Sequence, residues 1–510
     1  MKSLTQWRAT RATRAASAAA FALAATASAT GQELGGSWGT AAAEAAHYRI
    51  VELPIPESLA LECGSFCAIP GNRLAIGTRR GQILIVDGAF DVLPEPKITT
   101  FAEGLDEVLG LGFRDGAFYA TQQTELTRIS DRDQDGRADR FENLSDAWGF
   151  EHYHEFAWGS GVQDDGSVYV ALGLSASYHY KAPYRGFAFR ITADGQTQAV
   201  ASGVRSAGGV GPNETGEMFY VESQGPWNGS CSLKHLKQGG FMGHPICFPA
   251  YDLPLGKQLG PKPLEPTNQS RLYEESQRIE QLVPYAVVFP YRRMGQSITA
   301  FRVDTTEGRF GPFQGQLFVS DYSLSIIMRA TTEQVRGVWQ GACYPFREGL
   351  GNGVLTIEFS NGPKPAPSYL MTGGTNRGWP VRGNKRYVLE RLEYTGLTPF
   401  DVLRISARPD GFHVRFTKPL DAKTATDPSS YTMRAFTHVF QKFYGSPEVD
   451  ESVPTVTGVT LDDDHQGAYL VVDGLVEGHV HDFDFSGVRA QDGAPLLHTT
   501  AHYTLNRIPQ

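Results

Sequence analysis

The twelve residues Asp131-Arg132-Asp133-Gln134-Asp135-Gly136-Arg137-Ala138-Asp139-Arg140-Phe141-Glu142 carry the most specific chemical pattern in the chain. Asp131, Asp133 and Asp135 place carboxylates at positions 1, 3 and 5, and Gly136 supplies the sharp turn. The Arg137 carbonyl follows, Asp139 adds a further carboxylate and Glu142 supplies a bidentate one, which makes an oxygen cage suited to Ca²⁺. The preceding Glu125-Leu126-Thr127-Arg128-Ile129 alternates like a strand, so the loop replaces a β-turn and is expected to staple two strands rather than sense calcium. An acidic turn without metal is the alternative.

A second group is scattered along the chain: His152 and His154, Tyr178-His179-Tyr180, Tyr184-Arg185, Arg205, Gln224-Gly225-Pro226-Trp227-Asn228 and Thr375-Asn376-Arg377-Gly378-Trp379. Aromatic faces interleaved with His and Arg suit a flat or sugar-like ligand, which needs stacking surfaces and a few directed hydrogen bonds. The competing reading is that these rings only cap sheet edges. Which holds depends on whether the fold gathers them.

An internal repeat predicts that it does. Second-strand segments recur at Arg73-Leu74-Ala75-Ile76, Ala117-Phe118-Tyr119-Ala120, Ser167-Val168-Tyr169-Val170, Met218-Phe219-Tyr220-Val221, Gln316-Leu317-Phe318-Val319 and Ser368-Tyr369-Leu370-Met371. Their spacing of about 50 residues, with one interval doubled, is that of a six-bladed β-propeller. The doubled interval implies an insertion over about 237–296, and a seventh blade hidden there is the structural alternative. In an up-and-down meander alternate connections share one end of the sheet. The loops after second strands and the connections between blades therefore converge on one face, with the calcium loop on the other.

At Arg205 with Gly208-Gly209, at Glu222-Ser223-Gln224-Gly225-Pro226 and at Gly239-Gly240-Phe241-Met242-Gly243-His244-Pro245 the chain resembles the soluble quinoprotein glucose and aldose sugar dehydrogenases, the glucose/sorbosone dehydrogenase family. The resemblance spans about residues 45–396, and the whole chain is similar to secreted bacterial propeller proteins that carry that label. It implies pyrroloquinoline quinone on a calcium ion over the propeller axis. By the same resemblance His154 would be the catalytic base, Arg205 a quinone or substrate clamp, and Gly225 and Pro226 calcium ligands. Two cationic features of the family are missing here. A Lys after the fifth second strand is replaced within Val319-Ser320-Asp321-Tyr322-Ser323, and an Arg-x-Arg pair is absent from Gly353-Val354-Leu355-Thr356-Ile357. Arg347 and Arg377, from nearby loops, are the cations that would substitute, Arg377 as a cofactor contact. Two functions stay open: quinone-dependent oxidation of a sugar or alcohol, and a non-catalytic propeller binding glycan or protein through the same funnel.

Past residue 396 shorter alternating runs, such as Phe412-His413-Val414-Arg415-Phe416 and Ala468-Tyr469-Leu470-Val471-Val472, predict a small antiparallel β-sandwich over 397–510. This unit is expected to pack or to bind a protein partner. The fold class expected is thus all-β, a propeller over 30–396 and then a sandwich.

The first 29 residues read as an export signal. Lys2, Arg8, Arg11 and Arg14 precede an Ala-rich apolar stretch, and Ala27-Ser28-Ala29 offers the small-residue cleavage site. The expected location is secreted or periplasmic, with no later membrane span. In that compartment Cys63 with Cys67, or Cys231 with Cys247, could each close a short loop and leave Cys343 unpaired. The 46 basic and 55 acidic residues give a net charge of −9, which argues against nucleic acid as a partner and leaves a small sugar or glycan.

Overall fold

The computed structural model describes residues 33–175, 178–360 and 367–510. The expected export signal at 1–29 lies outside them. Among the described residues no helix is long and apolar enough to cross a membrane.

The chain is all-β. Six antiparallel meanders follow one another, and their second strands are Arg73–Thr78, Ala117–Thr121, Val168–Leu172, Met218–Glu222, Leu317–Asp321 and Tyr369–Gly374. The six first strands, Cys63–Ile69, Gly110–Arg114, Ala157–Gly159, Ala207–Pro212, Ile298–Val303 and Val354–Phe359, touch in cyclic order, the last returning to the first. Such close approach at the centre explains the glycines there. A Cβ on Gly110 would stand 2.5 Å from the Gly159 Cα. The ring closes through the N-terminal strand Tyr48–Leu53, which is the outer strand of the sixth meander and pairs antiparallel with Leu389–Tyr394, Tyr48 facing Tyr394 and Leu53 facing Leu389.

The stretch expected as an insertion is in part a strand of the ring. Val287–Phe289 pairs with Cys231–His235 as the fourth strand of the fourth meander. The remainder holds two-residue strands, short 3-10 helices and the helix Leu272–Arg278 rather than another four-stranded sheet.

The C-terminal segment contributes two sheets that enclose one core around Phe412, Phe416, Leu470, Phe483 and Tyr503. One of these sheets does not stop at the boundary. Thr500–Leu505 pairs with Val338–Glu348, the long outer strand of the fifth meander, with Gly341 facing Thr504 and Cys343 facing His502. The insertion joins the same sheet where Ser270 faces Phe440.

The cysteine pairing expected from the sequence is corrected. All five cysteines are free thiols. Cys63 and Cys67 lie four residues apart on one extended strand, about 13 Å, well beyond the roughly 7 Å Cα separation a disulfide tolerates. Cys231 begins a strand of the fourth meander, whereas the Cys247 thiol packs on the Gly203 amide 3.2 Å away.

A buried ion cluster holds ring and C-terminal unit together. His498 reaches Glu44 (3.0 Å) and Asp401 (2.9 Å), Glu44 reaches Arg347 (3.1 Å), and Asp401 faces Arg329 (3.5 Å). Burial opposes the His498 imidazolium, but the Asp401 and Glu44 carboxylates outweigh it and raise the pKa from 6.5 to about 9. Because the folded value is raised, the stabilisation is complete below about pH 6.5 and is lost as pH climbs through about 9. That shift corresponds to about 3 kcal/mol. The expected result is a melting temperature that falls between pH 6.5 and 9 in the native protein and a flatter profile in His498→Gln, which also melts lower at pH 6. An unchanged slope in the variant would place the titrating group elsewhere.

Candidate functional site at the mouth of the ring

Each connection between meanders delivers one residue to the same end of the ring just before the next first strand. These are Glu62, Glu107, His154, Arg205, Ser297 and Asn352. The loops after second strands reach the same end and bring Arg79, Ser175, Gln224, Tyr322 and the segment 375–379. Meander geometry alone dictates this convergence.

One side of the mouth is a charge cluster of which the sequence signalled only Arg377. Arg79 donates through Nε (3.0 Å) and Nη2 (2.7 Å) to Glu107 Oε1, and its Nη1 donates to the Arg377 carbonyl (3.3 Å). Arg377 spans Glu62 (3.2 Å) and Glu107 (3.3 Å). The Tyr322 hydroxyl fixes this loop by donating to the Arg377 and Trp379 carbonyls. Burial raises the Glu107 carboxyl above its ordinary pKa despite Arg79 and Arg377. Neither glutamate sits in a recognisable motif. Only their common position ahead of Cys63–Ile69 and Gly110–Arg114 could have marked them.

His154 stands next to this cluster, 5.7 Å from the Trp379 ring and 5.0 Å from the Phe156 ring, over which Arg79 also lies. Burial, then the positive charge of Arg205, the nearby His152 and Arg79 lower its pKa to about 4, so it is neutral at ordinary pH. Exposed rings surround it: Tyr153 is 77% and Trp379 55% accessible.

Arg205 lies deeper than a clamp aimed at a ligand in the mouth would. It is 4% exposed, donates to the Ser223 and Gln224 carbonyls, and carries the Tyr178 ring 5.7 Å from its Cζ. Its own N–H is held by Glu222, whose other oxygen pairs with the fully buried Lys234. Gly225 is a glycine for a reason visible here, since a Cβ would overlap the Arg205 guanidinium. The Gly225 carbonyl accepts from the Asn228 N–H (3.0 Å), and Pro226 is buried behind it. Arg185 is likewise fully buried, donating to the carbonyls of Gly149, Glu155, Phe156 and Gln123, and presents nothing to a ligand.

These residues do not fit a tricarboxylate quinone seated on calcium. A cation already packs against Gly225, Arg79 and Arg377 are taken up by Glu107 and Glu62, and Asp321, in the segment without the expected lysine, is a buried acceptor for the Gln296, Ser297 and Leu324 amides. Anionic ligands bind tightly where charge-assisted donors are free. Here Arg79 and Arg377 are paired with carboxylates, and Arg205 spends Nη1 on the Ser223 and Gln224 carbonyls while its buried Nε has no hydrogen-bond partner among the described residues.

The acidic loop lies at the opposite end, between Leu126–Ser130 and Arg140–Ser145. Asp131, Asp133 and Asp135 place one carboxylate oxygen each within 4.8 Å of the others. Glu142 is placed differently. It belongs to the strand after the loop, faces Arg128 in register, and its carboxylate is held by Arg128 (2.8 Å) and Arg140. Asp139 turns to Arg132, 3.6 Å away and 3.0 Å from its N–H. Strand pairing continues right up to the loop, so position 12 cannot fold back as it does from a helix.

The model of a domain of unknown function (DUF7133) matches residues 86–283. No curated protein matches the chain. Among solved structures it is similar to the PQQ-bound aldose sugar dehydrogenase of Streptomyces coelicolor, at 16% identity and TM-score 0.43, over 68% of this chain and 98% of that one. It is also similar to the PQQ domain of pyranose dehydrogenase from Coprinopsis cinerea, at 10% identity and TM-score 0.44, over 68% and 95%. A third likeness is to the calcium structure of a Trichoderma reesei carbohydrate-active enzyme of family AA12, at 11% identity and TM-score 0.46, over 68% and 96%.

The packing of Arg205 on Gly225 is testable by urea unfolding. Gly225→Ala is expected to cost about 1–3 kcal/mol, and less in an Arg205→Ala background, with a coupling of at least about 0.5 kcal/mol. Strict additivity would mean that the two do not share this contact.

Proposed function

We propose that the chain is a sugar dehydrogenase-like protein, a six-bladed propeller with an appended β-sandwich, exported from the cytoplasm, whose ring mouth binds a neutral sugar or glycan. The observation that carries this reading is the composition of the mouth. Arg79 and Arg377 are paired with Glu62 and Glu107, Arg205 is buried on backbone carbonyls, the histidine is uncharged, and exposed Trp379 and Tyr153 rings stand beside it. Polyhydroxylated rings are bound by stacking faces with a few fixed donors and acceptors, and a net charge is not needed.

Oxidation of a sugar or alcohol hydroxyl is the second reading. It is favoured by His154, which burial and the charges of Arg205 and Arg79 keep in its proton-accepting form. For the acidic loop we propose Ca²⁺ on Asp131, Asp133 and Asp135, with Glu142 outside the ligand set.

Titration of Trp379 fluorescence with neutral monosaccharides is expected to saturate in the native protein and to weaken at least tenfold in His154→Ala, with both proteins melting alike. Binding should hold from pH 7 to 5 and fall as pH drops through about 4, where His154 gains its proton. Added pyrroloquinoline quinone and Ca²⁺ are expected to give no dye reduction with aldoses. Turnover that vanishes in His154→Ala would replace the binding reading with the oxidative one. Absence of any fluorescence change with sugars, together with no turnover, would overturn both.

For the acidic loop, chelation is expected to lower the melting temperature, an effect that Asp133→Asn removes and Glu142→Gln leaves intact. Equal loss of the effect in both variants would return Glu142 to the ligand set.

A further inference from the structure

The C-terminal unit reaches into the mouth. Its strands Thr432–Phe440 and Glu448–Ser452 are joined by the hairpin 441–447, which docks on the loop 224–229 of the fourth meander. The Trp227 N–H donates to the Gln441 carbonyl at 2.7 Å, and the Trp227 ring meets Phe440 edge to face at 5.0 Å. Contact is close enough to require glycine on both sides. A Cβ on Gly229 would come within 2.6 Å of His438, and one on Gly445 would come equally near the Gln224 amide carbon.

This docking carries Tyr444 to Arg205. The Tyr444 ring lies 5.2 Å from the Arg205 Cζ and 6.1 Å from the Tyr178 ring, tilted by 35°. Tyr178 itself is 5.7 Å from the same Cζ. Two rings far apart in sequence, one from the third meander and one from the C-terminal unit, thus share one buried cation, while Tyr178 stays 41% and Tyr444 46% exposed. A guanidinium against both rings fixes them in place, so their open area is prearranged rather than mobile. His154 belongs to the same mouth, delivered there by the connection ahead of Ala157–Gly159. An apolar platform next to a polar wall matches a molecule with one apolar face and a polar edge, which a pyranose ring has and an open-chain polyol does not.

We propose that Tyr444, brought in by the C-terminal unit, is a specificity-determining residue of the mouth, forming with Tyr178 the stacking platform that selects a pyranose ring over an acyclic polyol. The proposal rests on the sugar-binding reading and names which sugar form that site takes. The loss of such a stacking face is read as a change of about tenfold in affinity, which is about 1.4 kcal/mol.

Calorimetric titration of the full chain with methyl β-D-glucopyranoside and, separately, with sorbitol tests it. The native protein is expected to prefer the pyranoside. Tyr444→Ala should weaken the pyranoside by about tenfold and leave sorbitol unchanged, Tyr444→Phe should retain the preference, and Tyr178→Ala should reproduce the loss from the ring side. Undiminished pyranoside affinity in Tyr444→Ala, or an equal loss for both ligands, overturns the proposal while the sugar-binding reading stands. No binding of either compound to the native protein overturns both.

Discussion

The pairing of Tyr48–Leu53 with Leu389–Tyr394 is the constraint on which the remaining structure depends. Stacked twisted sheets leave exposed strand edges unless they close on themselves. Here the closing strand comes from the opposite end of the ring segment, so the ring exists only when residues more than three hundred positions apart have met. Once closed, it forces six connections to converge on one mouth, although none of the six residues delivered there is near another in sequence. The short helix Ala41–Glu44 sits just before the closing strand, and its Glu44 carboxylate is the anchor that His498 and Arg347 share. Closure of the ring and attachment of the C-terminal unit are therefore one event in charge and in space. The interaction is a buried ion cluster whose every member is paired, which is the condition under which such a cluster can hold its shape.

The same convergence decides what the mouth is able to hold. Two carboxylates arrive from adjacent meanders and take up the two arginines that would otherwise give the mouth a positive field. Arg205, the third cation, is turned inward on backbone carbonyls and covered by tyrosine. Positive charge is thus spent inside the protein, on loop geometry, and little remains for an anionic ligand. A neutral His154 is a consequence of the same crowding, because burial and the positive charge of Arg205 both oppose a further proton.

Legibility in the sequence followed the range of the physics involved. Strand periodicity is local, and the six second strands stand where alternation placed them, Ala117–Thr121 and Val168–Leu172 among them. The placement of Asp131, Asp133 and Asp135 in a turn is local too. The surroundings of Glu142 were not legible, because the loop pattern is drawn from helices, whereas here register with Arg128 continues to the turn and sets the carboxylate beside that arginine. Cys63 and Cys67 suggested a bridge by spacing, and strand extension forbids it. Glu62, Glu107 and Tyr444 gave no signal at all. Each is an ordinary residue in an ordinary loop until ring closure or hairpin docking puts it at the mouth, and Val287–Phe289 is too short a strand to stand out from its surroundings.

The C-terminal unit shows how far a sequence boundary can differ from a physical one. Composition and strand length change near residue 397, yet hydrogen bonding runs from Val338–Glu348 into Thr500–Leu505 without a break, and Ala342 and Tyr344 of the ring lie in the same apolar core as Phe412 and Phe483. A linker-tethered module would move independently and could contribute to a ligand site only on average. Continuous pairing, the His498 cluster and the glycine-tight hairpin at 441–447 instead make the unit a rigid wall of the ring. That rigidity is what allows a single exposed side chain, Tyr444, to be held about a ring's width from Tyr178, since a stacking surface assembled from two parts is only as well formed as the joint between them.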